Sequence, residues 1–367
     1  MKIRVVRKVI TKKFKEINLQ SSFFDSLKQD YREFCEWFQR KAEEEAYVIY
    51  NEQQQLDAFL YLKTEPQEEI DSSISPKLPE AFRLKIGTLK VAEEGQGNKY
   101  GEGLLKIAFD VARRRNVNYI YVTLFSHHRI LIELLKQMGF ERYGIKSTEN
   151  GMEEVYIHFM SRHFNKDHPI KSYPYIPRNP MTAVRIVPIE AEYHSLLFPG
   201  SELKGAIHDI DEYIPASNAI RKIYLAGGTN AKLAQTGDLL FFYRKKHPDE
   251  PSMPKYKSAI TTLGIVEKVY VEGRDYKGFD EYSKIAGRRT VFTQEELKQQ
   301  YELINRRVIV QFIYVLSFGS GNNVNYQFLV DNKIIPPRGY WGFLPITNTG
   351  YHLILEEAGI DDSYFID

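Results

Sequence analysis

The residues with the clearest chemical potential lie in one glycine-rich stretch of the first half of the chain. Gly95, Gly97, Gly101 and Gly103 separate an alternating apolar run from apolar residues at helical spacing. A strand, a glycine-rich turn and a helix in this order can bind phosphate, because the first N–H groups of a helix lie at the positive end of its dipole. A plain turn is the alternative interpretation, since glycines at strand–helix junctions are common.

Carboxylates and imidazoles lie at the ends of two neighbouring predicted strands. Glu93 and Glu94 end the strand that enters the glycine-rich turn, and His127 and His128 follow the next strand. A carboxylate at such a position can take a proton from an amine, directly or through water. Glu93 and Glu94 are therefore the first catalytic candidates, with the two histidines as weaker alternatives, of which we select His128. A solvated acidic pair and capping histidines are the structural alternatives.

A regular series of elements must position these residues. The apolar periodicity predicts strands at 82–91 and 119–125, helices from 104 and at 129–138, and closing strands at 140–146 and 154–159. In the second helix Ile130, Leu131, Leu134 and Leu135 form the predicted buried stripe. Earlier in the chain, the pattern predicts a strand at 2–10, helical segments within 23–41, a hairpin of 46–50 with 56–63, and a polar loop at 66–79.

This series carries a family resemblance. Gln96, Gly101 and Gly103 fit the phosphate loop Gln/Arg-x-x-Gly-x-Gly/Ala, and Gly139-Phe140 fits the end of the late helix. Residues 1–162 thereby resemble the GNAT superfamily of acyl-CoA-dependent N-acyltransferases. The resemblance implies a mixed sheet flanked by helices, acetyl-CoA or a close acyl-CoA as donor, and an amine as acceptor. It also implies that these residues contact the donor: Leu89, Lys90, Val91, Gln96, Gly97, Asn98, Lys99, Tyr100, Gly101, Glu102 and Gly103.

Three residues depart from the family pattern. Lys99 stands where the first loop glycine is usual, and its ammonium group can instead reach a phosphate as a point charge. Leu135 occupies the place of the tyrosine that protonates the leaving thiolate in many members, and His128 the place of a common asparagine. The missing tyrosine favours an alternative function, a nucleic-acid-binding or interaction protein that senses CoA without turnover.

Composition narrows the class of protein further. The chain has 367 residues, 43% of them hydrophobic, and a formal net charge of +2, which suits two ordinary cores and gives no global signal for nucleic acid or membrane. The single cysteine, Cys35, excludes a disulfide framework and suits a reducing cytosol, and we expect its thiol to be buried. No apolar run approaches the length of a signal peptide or a membrane span, which predicts a cytoplasmic protein. His158, His163 and His168 are irregularly spaced, so we expect no metal site.

The second half changes character after a proline-punctuated segment at 163–182, which we expect to be a semi-rigid linker. Strands are predicted at 184–189, 222–226, 238–243, 259–270 and 307–318, with helices at 217–221, 294–304 and 348–359. Many short strands with a long helix suggest a small, partly closed barrel. The expected fold class is therefore α+β, with a barrel domain at 183–367.

The phrases 222–226, 233–244 and 260–267 resemble the PUA-like superfamily, near its EVE and ASCH branches. Those barrels are associated with RNA or modified bases, so the resemblance implies an RNA partner and an acceptor on RNA or linked to it. The residues proposed for nucleic-acid contact are Arg244, Lys245, Lys246, Arg338 and Trp341. Acidic and basic residues are about balanced in this half, which counts against a basic binding stripe.

Overall fold

The computed structural model describes residues 9–201, 203, 214–250, 257–303, 307–337, 339 and 342–367. The chain divides into two compact units, an N-terminal one that ends at Met160 and a C-terminal one that begins at Ser161.

The N-terminal unit is built on a mixed sheet. Among its described residues the sheet has eight strands in the order β1-β2-β3-β5-β6-β8-β7-β4. All neighbouring strands are antiparallel except β5 and β6, which are parallel. The strands are β1 (Ile10–Lys13), β2 (Glu45–Tyr50), β3 (Leu56–Glu65), β4 (Ile74–Ser75), β5 (Arg83–Val91), β6 (Tyr119–Leu124), β7 (Glu141–Thr148) and β8 (Gly151–Phe159).

Two short helices, α1 (Asp25–Asp30) and α2 (Phe34–Arg40), cover one face of this sheet. Phe34 and Phe38 of α2 pack with Phe59 and Tyr61 of β3 in one buried cluster, and Leu27 of α1 lies against it. Cys35 is exposed, so the expectation of a buried thiol is wrong. The buried face of α2 is formed by Phe34 and Phe38, four positions apart, and Cys35 lies about 100° around the helix from Phe34.

Helices α3 (Tyr100–Arg114) and α4 (Arg129–Gln137) pack against each other. Gly101 of α3 lies so close to α4 that an added Cβ atom would be 2.6 Å from Leu134 Cδ2. On α4 the residues that are fully buried are Ile132 and Leu135. The predicted buried stripe is therefore partly wrong, because Ile130 is 72% exposed.

The predicted first strand lies partly outside the described residues, and within them β1 begins at Ile10. The predicted loop at 66–79 contains β4, which pairs with β7. An ion pair of 3.1 Å between Lys146 Nζ and Asp71 Oδ2 also ties the loop to β7.

The C-terminal unit holds a second sheet, which curls into a half-barrel. Its described strands follow the order β11-β14-β13-β12-β10-β16, with β15 paired to β13. Two register shifts between β13 and β14 interrupt the ladder, and such irregularities bend a sheet. The strands of the unit are β9 (Ile176–Pro177), β10 (Val184–Ile189), β11 (Arg221–Ala226), β12 (Leu239–Arg244), β13 (Ala259–Val271), β14 (Val308–Ser317), β15 (Val324–Asn325), β16 (Leu344–Ile346) and β17 (Phe365–Ile366).

Helices surround this sheet, and several of them have no counterpart in the sequence prediction. The described ones are α5 (Ala191–Leu197), α6 (Pro215–Asn218), α7 (Thr229–Lys232), α8 (Gly278–Ala286), α9 (Gln294–Glu302), α10 (Tyr326–Asp331) and α11 (Asn348–Glu357). The α8 helix was missed because its buried residues, Tyr282 and Ala286, give only a short apolar stripe. The mixed α+β class is confirmed, whereas the PUA-like identity of this unit stays a prediction.

The predicted linker at 163–182 is packed into the C-terminal unit. Tyr173, Tyr175 and Ile176 are buried, and β9 pairs with β17 at the end of the chain. The prolines of this segment are buried, so the segment belongs to the second unit rather than forming a free linker. Within the described residues, no helix has both the length and the apolar character needed to cross a bilayer.

Candidate functional site

The two parallel strands of the N-terminal sheet separate at one end. β5 pairs with β6 only from Arg83–Tyr119 to Ile86–Val122, although β5 continues to Val91 and β6 to Leu124. Beyond this point the edge of β5 that faced β6 is open, and alternate N–H and C=O groups along residues 88–91 point into the opening. We call this opening the strand gap.

A bulge in β5 lies at the start of the strand gap. Leu62 pairs with Ile86 and Tyr61 with Thr88, which leaves Gly87 as an extra residue. A Cβ atom on Gly87 would be 2.6 Å from Tyr61 Cδ1, so no larger residue fits without displacing that ring. The ring itself is held, because its hydroxyl donates a hydrogen bond to Glu44 and its face packs on Phe14.

A single cavity of about 1310 Å³ reaches the strand gap from both faces of the sheet. On one face it is lined by the end of the glycine-rich turn and by α4. On the other it is lined by α1, α2 and the polar side chains of β3, β5, β7 and β8. A cavity open to both faces can hold two reactants on opposite sides of one sheet.

The glycine-rich turn reaches α3 through two residues in the left-handed conformation. Gly97 has a φ of +86° and Lys99, the residue before α3, a φ of +60°. Lys99 thus adopts the backbone conformation for which the family uses glycine, at the small energetic cost that a lysine has there. Its Nζ lies 3.8 Å from Oε1 of the buried Glu102. Alternating left-handed residues before a helix form a concave set of N–H groups that suits an anion.

The predicted donor-binding residues divide into three groups. Leu89, Lys90, Val91, Gln96 and Gly101 line the cavity. Tyr100 and Glu102 are buried with 5% and 2% exposure, so only their backbone can take part. Gly97, Asn98, Lys99 and Gly103 belong to the same turn but do not line the cavity.

Gly101 has a packing role that the sequence did not indicate. The space its side chain would occupy is filled by Leu134 of α4. A larger residue at position 101 would thus disturb the contact between α3 and α4 as well as any approach of phosphate to the turn.

On the opposite face, Asp30 and His128 form a pair at the mouth of the strand gap. Asp30 ends α1, His128 precedes α4, and His128 Nε2 lies 3.0 Å from Asp30 Oδ2. Since a carboxylate only accepts hydrogen bonds, the neutral imidazole carries its proton on Nε2 and the lone pair on Nδ1. Burial lowers the pKa of His128, His127 lowers it further, and Asp30 opposes both. His128 is therefore neutral, and able to accept a proton, at neutral pH.

The segment that carries Asp30 is fixed by contacts to the far strands. Tyr31 packs its ring 5.3 Å from that of Phe125 and donates a hydrogen bond of 2.5 Å to Glu153. Glu33 accepts a hydrogen bond of 2.8 Å from Asn150. Burial and the carboxylate of Glu153 raise the pKa of Tyr31 far above its usual range, so Tyr31 serves as a hydrogen-bond donor rather than an acid.

Glu93 and Glu94 lie at the other end of the cavity. Both are exposed on a single helical turn, Glu93–Gly95, that follows β5. Both line the cavity on the side of the glycine-rich turn. A carboxylate is a weaker base than an imidazole, and these two lie outside the pair formed by Asp30 and His128. Leu135 is 1% exposed and is not among the residues that line the cavity.

Asp30 was missed by the sequence analysis. It lies 98 positions before His128 in the chain, and no spacing rule connects them. The one available signal was that an acidic residue ends a helical segment before an aromatic one, which is too common to select a site.

Asp30, His127 and His128 also place three ligand-type atoms within 4.8 Å of one another. The expectation that no metal binds was drawn from His158, His163 and His168, which are a different set. Contacts of 3.3 Å and 3.0 Å between Asp30 and the two imidazoles account for this cluster without an ion.

Of the residues predicted to contact nucleic acid, the structure describes Arg244, Lys245 and Lys246. Arg244 is fully buried, with NH2 3.5 Å from Oε1 of the buried Glu250, so its role as a phosphate contact is corrected. Lys245 is paired with Glu190 at 2.6 Å. Lys246 Nζ donates to the carbonyl of His247 at 3.1 Å. Arg338 and Trp341 lie outside the described residues.

Comparison with known proteins agrees with the geometry of the N-terminal unit. Residues 11–140 match the Acetyltransferase (GNAT) family. The N-terminal part of the chain is therefore a GNAT acetyltransferase domain, and the expectation from the phosphate loop is confirmed. The match supports an acetyl-CoA-dependent acyltransferase activity for this domain. No curated protein sequence matches the chain at a significant level.

Solved structures with a similar N-terminal part include NAA60 of Arabidopsis thaliana bound to acetyl-CoA, at 17% identity over 41% of this chain and 99% of that one, with a TM-score of 0.30. An IAA acetyltransferase from Bacillus cereus is 17% identical over 41% of this chain and 98% of its own, with a TM-score of 0.31. Nourseothricin acetyltransferase is 19% identical over 31% of this chain, with a TM-score of 0.25, and only 62% of its own length is covered.

Proposed function

We propose that the N-terminal unit transfers the acetyl group of acetyl-CoA to a primary amine that enters the strand gap from the face of Asp30 and His128. The observation that carries this proposal is the cavity that connects the glycine-rich turn on one face with the Asp30–His128 pair on the other. The two reactants then meet at the open edge of β5, where no protein backbone separates them.

The donor side is formed by three kinds of surface. The N–H groups around residues 96–103 provide a positive site for the pyrophosphate. The open edge of β5 offers hydrogen-bonding groups to the pantetheine amides. Ile130, Leu131 and Leu134 of α4 line the cavity and give an apolar wall, which explains why Ile130 is exposed here.

The chemical step needs a neutral amine. His128 Nδ1 takes a proton from the acceptor ammonium, and Asp30 holds the resulting imidazolium. The amine lone pair then attacks the thioester carbon and a C–N bond forms. The nitrogen loses its second proton to solvent water as the tetrahedral intermediate collapses and the C–S bond breaks. A backbone N–H of β5 in the strand gap, among residues 88–91, stabilises the carbonyl oxygen as its charge develops. The proton held by His128 is available to the departing thiolate, which assigns to this imidazole the part that Leu135 cannot play.

An acceptor carried by RNA gains no support from the described part of the C-terminal unit, because Arg244 is buried and Lys245 is paired with Glu190. The PUA-like identity and a role of this unit in acceptor choice remain predictions. A nucleic-acid-binding or interaction protein that senses CoA without turnover is the competing function.

The test is an acetyl-transfer assay with the full-length protein and a panel of amines. The panel contains alkyl amines, amino acids, peptide N-termini, lysine peptides and aminoacyl-tRNA, and the readout is free thiol together with the mass of the acetylated product. We expect thiol release that requires both the protein and an amine. Tight binding of acetyl-CoA with no acetylated product from any amine would favour the competing function.

A further inference from the structure

The acceptor side of the cavity contains a row of charged residues that the chemistry above does not use. Lys63 of β3, Lys85 of β5 and Tyr121 of β6 are in register across three neighbouring strands. Residues in register lie on the same face of a sheet, and this is the face that carries Tyr61 and the helices α1 and α2. Lys63 and Lys85 both line the cavity.

The carboxylates around this row are already bound to other cations. Arg83 donates to Glu65 at 2.9 Å, Lys63 lies 2.5 Å from Glu69, and Lys146 lies 3.1 Å from Asp71. Glu65 also accepts a hydrogen bond of 2.7 Å from Tyr121. Each of these three carboxylates is thus paired with a cation other than Lys85, and Glu153, which also lines the cavity, accepts a hydrogen bond from Tyr31.

Within the described residues, Lys85 has no carboxylate within ion-pair distance. Its Nζ lies 5.6 Å from the centre of the Tyr121 ring, and it is only partly exposed. Burial lowers the pKa of Lys85, and the nearby Lys146 lowers it further. The carboxylates of Glu65 and Asp71 oppose this shift. A partly buried ammonium group without its own counter-charge is unfavourable in the free protein. An anion bound beside it removes that cost.

We propose that Lys85 binds an anionic group of the acceptor, so that the substrate is an amine that also carries a carboxylate or a phosphate. This inference rests on the proposed function, because it assumes that the acceptor occupies this face. Lys85 precedes Thr88, at the start of the strand gap, by three residues, which at about 3.3 Å per residue is on the order of 10 Å. The amine and the anion of the acceptor are therefore separated by a chain of several bonds.

Matched acceptors that differ only in charge test this inference. 8-Aminooctanoate and its amide have the same length and shape, and only the first is an anion. A second pair, an aminoalkyl phosphate and the corresponding amino alcohol, tells whether a phosphate is preferred to a carboxylate. For the wild-type protein we expect kcat/KM to be about tenfold or more higher for the anion than for its neutral partner, as a charge-assisted contact requires.

Lys85→Met removes the charge and keeps most of the volume. It should reduce the preference for the anion to about one, because the kcat/KM for the anion falls more than the kcat/KM for the neutral amide. Lys85→Arg should retain the preference. Lys77→Met, at an exposed lysine outside the cavity, is the matched control and should behave as wild type.

Binding measurements separate this inference from the proposed reaction. Isothermal titration of 8-aminooctanoate and its amide into the full-length protein with CoA present requires no turnover. A preference for the anion that Lys85→Met abolishes supports the inference even if no amine is acetylated. Equal binding of the two ligands by the wild-type protein, or an equal loss of both in Lys85→Met, overturns it.

Discussion

At the scale of single residues, the pair formed by Asp30 and His128 decides how the protein handles protons. The imidazole is partly buried and its Nε2 faces a carboxylate, which leaves Nδ1 as the basic atom. Burial acts against the charged form and Asp30 acts for it, and burial is the larger effect. This balance keeps His128 neutral in the pH range where an acceptor amine must lose its proton.

The first prediction concerns the pH dependence of kcat. His128 must be neutral to act as a base, so activity should fall as the pH drops through a pKa below the ordinary 6.5. Because Asp30 raises that pKa, Asp30→Asn should move the acid limb of the profile to lower pH. Asp110→Asn, at a half-exposed aspartate of α3 paired with Arg113, is the control and should leave the limb in place. An acid limb that moves to higher pH in Asp30→Asn would contradict the role of His128 as the base.

At the scale of elements, the bulge in β5 creates the strand gap. The extra residue changes the direction of the strand, so that pairing with β6 stops at Ile86. Gly87 is needed because the ring of Tyr61 occupies the place of a side chain. The catalytic geometry therefore depends on a contact between two strands rather than on a residue that touches substrate.

The second prediction follows from this contact. Gly87→Ala should lower the thermal midpoint of the N-terminal unit, with an overpacking cost of about 1–3 kcal/mol, and should lower kcat/KM because the edge of β5 shifts. Gly350→Ala is the control, since its Cβ atom would lie 3.3 Å from Ile334 Cγ2, which has to move by only a few tenths of an ångström. Wild-type stability and kinetics in Gly87→Ala would show that the bulge does not depend on a glycine.

The order of elements around the phosphate loop could be predicted from the sequence because apolar periodicity is a local property. The bounds of β5, α4 and β10 differ from the prediction by a residue or less. The bulge at Gly87 could not be predicted, since it depends on how Tyr61 packs. The Asp30–His128 contact could not be predicted either, because it joins α1 to the turn after β6. The prediction that Ile130 of α4 is buried was wrong, because this apolar residue faces a cavity rather than a core.

At the scale of the whole molecule, two units have separate buried cores. The aromatic cluster around Phe14 and Phe59 belongs to the N-terminal unit, and the clusters around Phe241 and Phe242 belong to the C-terminal one. The family match ends at residue 140, so acetyl-CoA binding is a property of the first unit. Arg244 belongs to the second unit, where it is buried beside Glu250.

The third prediction is that calorimetry resolves two unfolding transitions. Acetyl-CoA should raise only the transition of the N-terminal unit, by about 2.7 kcal/mol at one hundred times its Kd. Arg244→Met should lower only the other transition, because it leaves the carboxylate of Glu250 buried without its cation, at a cost of about 3–5 kcal/mol. A change of both transitions by either perturbation would show that the two units unfold as one.

The proposed reaction depends on His128 as the base in the strand gap. The decisive measurement is the comparison of kcat and the Kd for acetyl-CoA between the wild-type protein and His128→Gln, with His127→Gln as the matched neighbour. Glu93→Gln and Glu94→Gln test the competing carboxylates. We expect His128→Gln to lower kcat by about 100-fold or more while the Kd for acetyl-CoA stays within about threefold. The other three variants should lower kcat much less. A wild-type kcat in His128→Gln, together with a large loss in Glu93→Gln or Glu94→Gln, would contradict it.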